Sequence, residues 1–192
     1  MNSIKQIEVI YNNRLVGRLA LTREGLCAFE YSAEWLSSGF SISPFELPLR
    51  SGVFIAKPRP FEGGFGVFDD CLPDGWGLLI LDRYLQQKGI NPRTLTLLDR
   101  LALVGSTGRG ALEFRPDNSV VTRQDFADFE KLALEAEKIL ASDDYMGEGI
   151  EEFQDRGGSP GGARPKIFVR YNDKEWLVKF RAKREAQRSG GD

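Results

Sequence analysis

The sequence predicts an α+β protein: a small antiparallel sheet packed with several helices, followed by a further β-hairpin. Three observations carry this. Apolar and polar residues alternate between Ile7 and Tyr31, the two-residue period of half-buried strands. Between Trp76 and Leu140 the apolar residues instead recur at three- and four-residue steps, the period of helices. Alternation then returns over 167–180, after a cluster of glycines.

The elements follow in order. Ile7, Val9 and Tyr11 alternate with polar neighbours, Asn12-Asn13 supplies a turn that tolerates positive φ, and Leu15 to Leu21 resumes the strand pattern, so the chain opens with a hairpin. After Glu24-Gly25, Cys27, Phe29 and Tyr31 give a third strand of a meander. From Ser37 to Gly66 the chain is rich in Ser, Gly and Pro. Pro44, Pro48, Pro58 and Pro60 exclude long helices and confine any strand to an edge. Past Pro73-Asp74, the residues Trp76, Leu79, Ile80 and Tyr84 share a stripe that runs to about Lys88, and Gly89 is the stop signal. Thr96 with Asp99 three residues on has the form of a capping box for a short helix ending near Gly105. Ala111 to Phe114 reads as a strand. Thr122 is placed to cap the longest helix, with Phe126, Phe129, Ala133, Ala136 and Leu140 on its apolar side.

Six carboxylates, Asp143, Asp144, Glu148, Glu151, Glu152 and Asp155, crowd the segment 142–156, the pattern of a solvated linker. The expected organisation is therefore a first domain over 1–141, an acidic linker over 142–156, and a loop-and-hairpin segment over 157–180. The hairpin's strands run from Ile167 to Tyr171 and Glu175 to Phe180. Residues 181–192 have no aromatic, Leu, Ile or Val and are expected to be a disordered tail, since nothing in them offsets the entropy of ordering.

Composition narrows the chemistry. The 192 residues include thirteen Phe, three Trp and 41% apolar residues, enough for a core of ordinary size. The longest apolar runs, such as Leu78-Leu79-Ile80-Leu81, are too short to span a bilayer. The N-terminus shows no secretory-signal pattern, so a cytoplasmic location is expected. A formal charge of −2 does not supply the basic surface of a protein that grips nucleic acid directly. Cys27 and Cys71 form no disulfide framework and read as core thiols. The absence of His excludes His bases, Ser-His triads and nearly all transition-metal sites. Chemistry would rest on carboxylates and lysines.

Gly157-Gly158-Ser159-Pro160-Gly161-Gly162-Ala163-Arg164-Pro165-Lys166 places four glycines beside two cations, as a phosphate-cradling loop does. A strand and not a helix follows, so this is neither a Walker loop nor a Rossmann fingerprint. Glycines before a β-hairpin suit the start of a kinase-like N-lobe, with Lys179 standing where a strand lysine would reach phosphates. On the pattern alone, a plain turn and a solvated strand-end lysine fit as well.

Several motifs in series add to this. Leu72-Pro73-Asp74-Gly75-Trp76-Gly77, then Leu98-Asp99-Arg100-Leu101-Ala102, Gly105 to Gly110, and Gly158 to Lys166 resemble, in order, the N-terminal part of HipA-family kinases. The resemblance covers about Lys5 to Phe180. It implies a soluble serine/threonine kinase toxin of bacterial toxin–antitoxin modules, dependent on ATP and Mg2+, acting on translation-related proteins such as aminoacyl-tRNA synthetases. A DNA-binding helix-turn-helix antitoxin of the HipB type would restrain it. Ser159 matches the loop serine that members autophosphorylate, Gly161 and Gly162 the loop over the phosphates, and Lys179 the ATP-contacting strand lysine. Lys166 matches the lysine that closes the loop. Pro73, Asp74 and Trp76 are read as structural, a helix start and a core anchor, and no catalytic residue is placed before Gly157.

Phosphoryl transfer needs a carboxylate to accept the hydroxyl proton and groups to hold magnesium, and by resemblance these lie beyond Lys179. Of the thirteen residues after it, all but Phe180 are polar, charged or small, and they cannot build a helical lobe. The expectation is a truncated HipA-like protein with an incomplete kinase-like hairpin, no catalytic residue and no metal site, and no kinase activity of its own. The alternative is a stand-alone interaction module that binds an antitoxin or a separate HipA-type kinase core in trans. Strands lacking sheet neighbours would also leave Phe168, Trp176 and Val178 on an open face.

Overall fold

The computed structural model describes residues 4–108, 110–119, 129–142, 144–147, 149–156, 162–171 and 174–180. Its elements are strands β1 (Gln6–Tyr11), β2 (Arg14–Leu21) and β3 (Cys27–Tyr31), helix α1 (Ala33–Ser38), strand β4 (Val53–Ile55), helices α2 (Gly66–Asp69), α3 (Gly75–Gln87) and α4 (Leu97–Val104), strand β5 (Leu112–Arg115), helices α5 (Phe129–Ala141) and α6 (Gly149–Arg156), and strands β6 (Lys166–Tyr171) and β7 (Lys174–Lys179). The architecture is α+β. The chain divides into two compact units, one of Met1–Leu72 with Arg93–Ser119, the other of Pro73–Pro92 with Val120–Asp192. This grouping follows packing, whereas the segments drawn from the sequence follow charge; α3 falls in the second unit.

The first unit is built on an antiparallel sheet of order β4-β3-β2-β1-β5. Asn12 and Asn13 both take positive φ, which gives the β1–β2 hairpin a turn whose twist matches its strands. Val9 pairs with Gly17 and Ile10 with Leu15, so the register shifts by one residue and Val16 is the bulge. The shift turns Val16 into the core alongside Leu19. A Cβ at Gly17 would lie 2.2 Å from the Glu30 carbonyl oxygen and 2.7 Å from the Phe29 ring, so the close approach of β2 and β3 requires glycine there. The proline-rich 37–66 segment forms loops with β4 as a short edge strand, as the prolines dictate.

Phe29, Phe68 and Phe114 are fully buried and meet edge-on or tilted with ring centroids 5.5–6.4 Å apart. Leu98, Leu101 and Val104 of α4 complete this core. The capping box holds: the Thr96 hydroxyl accepts from Asp99 N at 3.2 Å, and Asp99 Oδ2 accepts from Thr96 N at 2.9 Å. Asp99 Oδ1 also accepts from Ile4 N at 3.0 Å, so one buried carboxylate joins the approach to β1 with the start of α4. Cys27 is buried and Cys71 half-buried; burial pushes both thiols up to about 11, with Asp70 adding to the effect at Cys71. Both behave as core thiols.

The second unit has its own core. Trp76, Ile80 and Tyr84 of α3 pack with Leu132, Ala136 and Ile139 of α5, Ile150 and Phe153 of α6, and Ile167, Val169 and Phe180 of the hairpin segment. The α3 stripe and its exit at Gly89 (φ +73°) follow the sequence pattern. The expected Thr122 cap of α5 lies outside the described residues, and so does the 181–192 tail; over its described part α5 has thirteen residues, the same as α3.

The acidic stretch 142–156 differs from expectation, because Gly149–Arg156 is helical. Ile150 and Phe153, three residues apart, are both fully buried, and that spacing puts them on one face while Glu151 stays toward solvent. Six carboxylates masked a two-residue apolar stripe. Polar side chains also hold this unit. Arg83, 4% exposed, donates from Nη1 to Ile139 O at 2.7 Å and from Nη2 to Ser142 O at 2.9 Å, satisfying carbonyls at the end of α5. Glu135 accepts from Lys138 at 2.7 Å and from the Tyr145 hydroxyl. Burial pushes the Glu135 carboxyl up, but these hydrogen bonds prevail and hold it below its ordinary range.

Candidate anion site at the glycine–lysine hairpin

β6 and β7 pair antiparallel with Lys166 opposite Lys179, Ile167 opposite Val178 and Val169 opposite Trp176. Residues directly opposite share a face. The face of Ile167 and Val169 turns into the second unit's core, with Val178 packed against it. Trp176 on the same face remains 53% exposed and Val178 is half-buried, but Phe168, expected on that face with them, is opposite Leu177 and so lies on the other face, half-buried, because side chains alternate along a strand. The other face carries Lys166 and Lys179 at its end, beside the glycine segment. Phe180 N donates to Pro165 O at 2.9 Å, and Arg164 Nε donates to Phe180 O at 2.9 Å, extending the pairing past the lysines.

Lys166 is 4% exposed, and its Nζ donates to Gly162 O at 2.8 Å. Burial pulls its pKa below the usual lysine range, Asp74 opposes this and Lys179 reinforces it. Two like charges placed directly across a strand pair are unfavourable, and an anion over that face would relieve the repulsion. Gly162 has φ +102°, a conformation costly for any residue with a Cβ. Ser159 and Gly161 lie outside the described residues. The structure thus brings together Gly162, Lys166 and Lys179 from the five residues singled out in the sequence.

It also adds residues that sequence reasoning treated as structural alone. Asp74 Oδ1 accepts from Gly162 N at 3.1 Å, and Trp76 N donates to Gly162 O at 3.1 Å. Between them Gly75 has φ +46°, and a Cβ on it would lie 2.6 Å from the Gly162 carbonyl carbon. Trp76 is the core anchor expected, packed edge-on against Phe153 at 5.1 Å. A signal was present: glycine at the first position of a helix has poor propensity, and it marks a close backbone approach.

A small anion is the kind of ligand whose charge two cross-strand lysines beside a positive-φ glycine would complement. Among the described residues no group of three or more His, Cys, Asp or Glu side chains is placed to hold a metal ion. Nor, among the described residues, is any helix long and apolar enough to cross a membrane.

The fold and site define an α+β protein whose second unit carries a hairpin with cations suited to an anion. The family model described as HipA N-terminal domain matches residues 7–115, more than half of the chain. The chain belongs to the HipA N-terminal domain family, which places it in a HipA-like toxin context. No curated protein matches it. The matched range includes α3, so a helix of the family's N-terminal domain segment is the one that touches Gly162.

Proposed function

We propose that this chain carries the N-terminal domain and the nucleotide-loop hairpin of a HipA-like serine/threonine kinase toxin of a bacterial toxin–antitoxin module, cytoplasmic, and that these 192 residues alone transfer no phosphate. The observation that carries the reading is the direct cross-strand pairing of Lys166 with Lys179 beside Gly162. ATP, when bound, supplies the anionic phosphates and the transferable group. Lys179 and Lys166 would neutralise phosphate charge, Gly162 would let the backbone approach, and Ser159 and Gly161 complete the set by resemblance. The carboxylate at this site, Asp74, holds a backbone amide and is a positioning group. The test is equilibrium binding of ATP together with label transfer from radioactive ATP. Lys179→Ala is expected to weaken binding by about tenfold or more, the scale of one lost charged hydrogen bond, and no label should be incorporated. Binding indifferent to Lys179→Ala would remove the nucleotide assignment, and label incorporation abolished by Lys179→Ala would overturn the inactivity.

A specific observation favours a second role, partner binding in trans. Phe45 is 99% exposed, and Val53 and Ile55 are exposed on β4, an edge of the sheet. Edge strands with apolar residues pair readily with other chains. The partner would be a helix-turn-helix antitoxin of the HipB type or a separate HipA-type kinase core. Titration of either against the chain should show binding weakened by Ile55→Lys; binding unaltered by that change places the contact elsewhere.

A further inference from the structure

We infer that Asp74 is the positioning residue of Gly162, so that the start of α3, in the HipA N-terminal domain segment, sets the backbone geometry at Gly162 where the site would meet phosphate. The loop's role rests on the function proposed above; the grip itself stands on the hydrogen bonds alone. Asp74 is the N-cap residue of α3, yet its side chain makes no capping bond to its own helix. Aspartate at that position ordinarily accepts from the second or third helical N–H. Here its Oδ1 takes the Gly162 amide instead, and the orphan Trp76 N–H is satisfied by the Gly162 carbonyl. One residue of the loop is therefore held at both its donor and its acceptor by one helix end.

Lys166 donates to the same Gly162 carbonyl, so the cation of β6 and the first turn of α3 share one oxygen. Gly75 makes the approach possible, because any Cβ there would collide with Gly162 C and O at 2.6 and 2.7 Å. The helix end is itself anchored: Trp76, Ile80 and Tyr84 lie in the second core, and Arg83 joins α3 to the end of α5. Displacement of the loop at Gly162 thus has to break bonds to a helix that is fixed along its length.

The test uses the full chain, labelled with 15N, and two readouts: amide exchange at Gly162 and ATP affinity. Asp74→Ala should speed Gly162 exchange by roughly two- to tenfold, the range of one net hydrogen bond, and weaken ATP binding in parallel. Asp74→Asn keeps an acceptor oxygen and should stay within about twofold of the parent in exchange. Gly75→Ala, which leaves the carboxylate intact and forces the backbones apart, should also speed exchange at Gly162. Exchange unchanged in Asp74→Ala would overturn the grip. Faster exchange with ATP affinity unchanged would overturn the positioning role. Should the parent chain bind no ATP, the nucleotide role fails with the proposed function, while exchange at Gly162 still decides the grip. Intact far-ultraviolet circular dichroism in each variant separates these results from unfolding.

Discussion

The two units solve the same problem differently. The first orders its chain with a five-stranded ladder and interlocked aromatic rings, so its backbone polar groups are satisfied mainly by neighbouring strands. The second has a two-stranded hairpin and three helices among its described elements, and it closes helix ends and turns with side chains: Arg83 on the end of α5, Glu135 with Tyr145, Asp74 on Gly162. Burial is tolerant of small shifts, whereas a side chain that ties down a carbonyl must meet it at hydrogen-bond distance. Both units use such bonds: in the first they hold loops and helix caps around the sheet, as the Tyr31 hydroxyl does on Leu47 O and Ser32 does on Trp35 N, and in the second they tie separate helices and the hairpin segment to one another.

The sharpest way to break this contrast is a cavity. Phe68→Ala empties the centre of the first core, where the ring meets Phe29 and Phe114, and should cost about 3–5 kcal/mol. Urea unfolding followed by tryptophan fluorescence reads it, and a loss under 1 kcal/mol would show that aromatic volume does not hold this unit. In the second unit Arg83→Met preserves much of the stem but orphans two carbonyls, at an expected cost of about 1–3 kcal/mol. If Met proves neutral, directional bonds are not what closes α5.

The smallest effect refines the comparison, because one of the first unit's own directed joints is a buried carboxylate. Burial pushes the Asp99 carboxyl up, but the hydrogen bonds from Ile4 and Thr96 outweigh it and hold it below the usual carboxylate range. A carboxyl lowered in the folded state contributes stability above its unfolded value, about 3.9, and that contribution fades as pH falls through the lower folded value. Unfolding free energy should therefore fall as the solution is acidified below about pH 4. Asp99→Asn should lessen that acid sensitivity, and an unchanged pH profile would show that the joint contributes nothing electrostatic.

Legibility in the sequence followed the same divide. The meander, the Asn12-Asn13 turn, the Thr96–Asp99 box and the α3 stripe were readable because each rests on local period or local chemistry. Helix α6 was not, because charge dominates its composition and its apolar signal is two residues, Ile150 and Phe153. Of the site, the lysines and Gly162 were legible as a motif. Asp74 was not, since its partner lies 88 residues away along the chain and no periodicity records such a contact; Gly75 offered only the signal of a glycine at a helix start.

One feature of the sheet bears on how the protein is made. β1 precedes the sheet's other strands along the chain, yet it lies inside the sheet, and its second neighbour is β5, with Tyr11 opposite Leu112. At translation rates of roughly 5–20 residues per second, about 5–20 s separate the two strands. Through that interval the outer edge of β1 is unpaired on a nascent chain that has already completed its meander and moved on to α3. Unpaired edges recruit other strands. The hazard of misassembly for this sheet is thus concentrated in the time between β1 and β5.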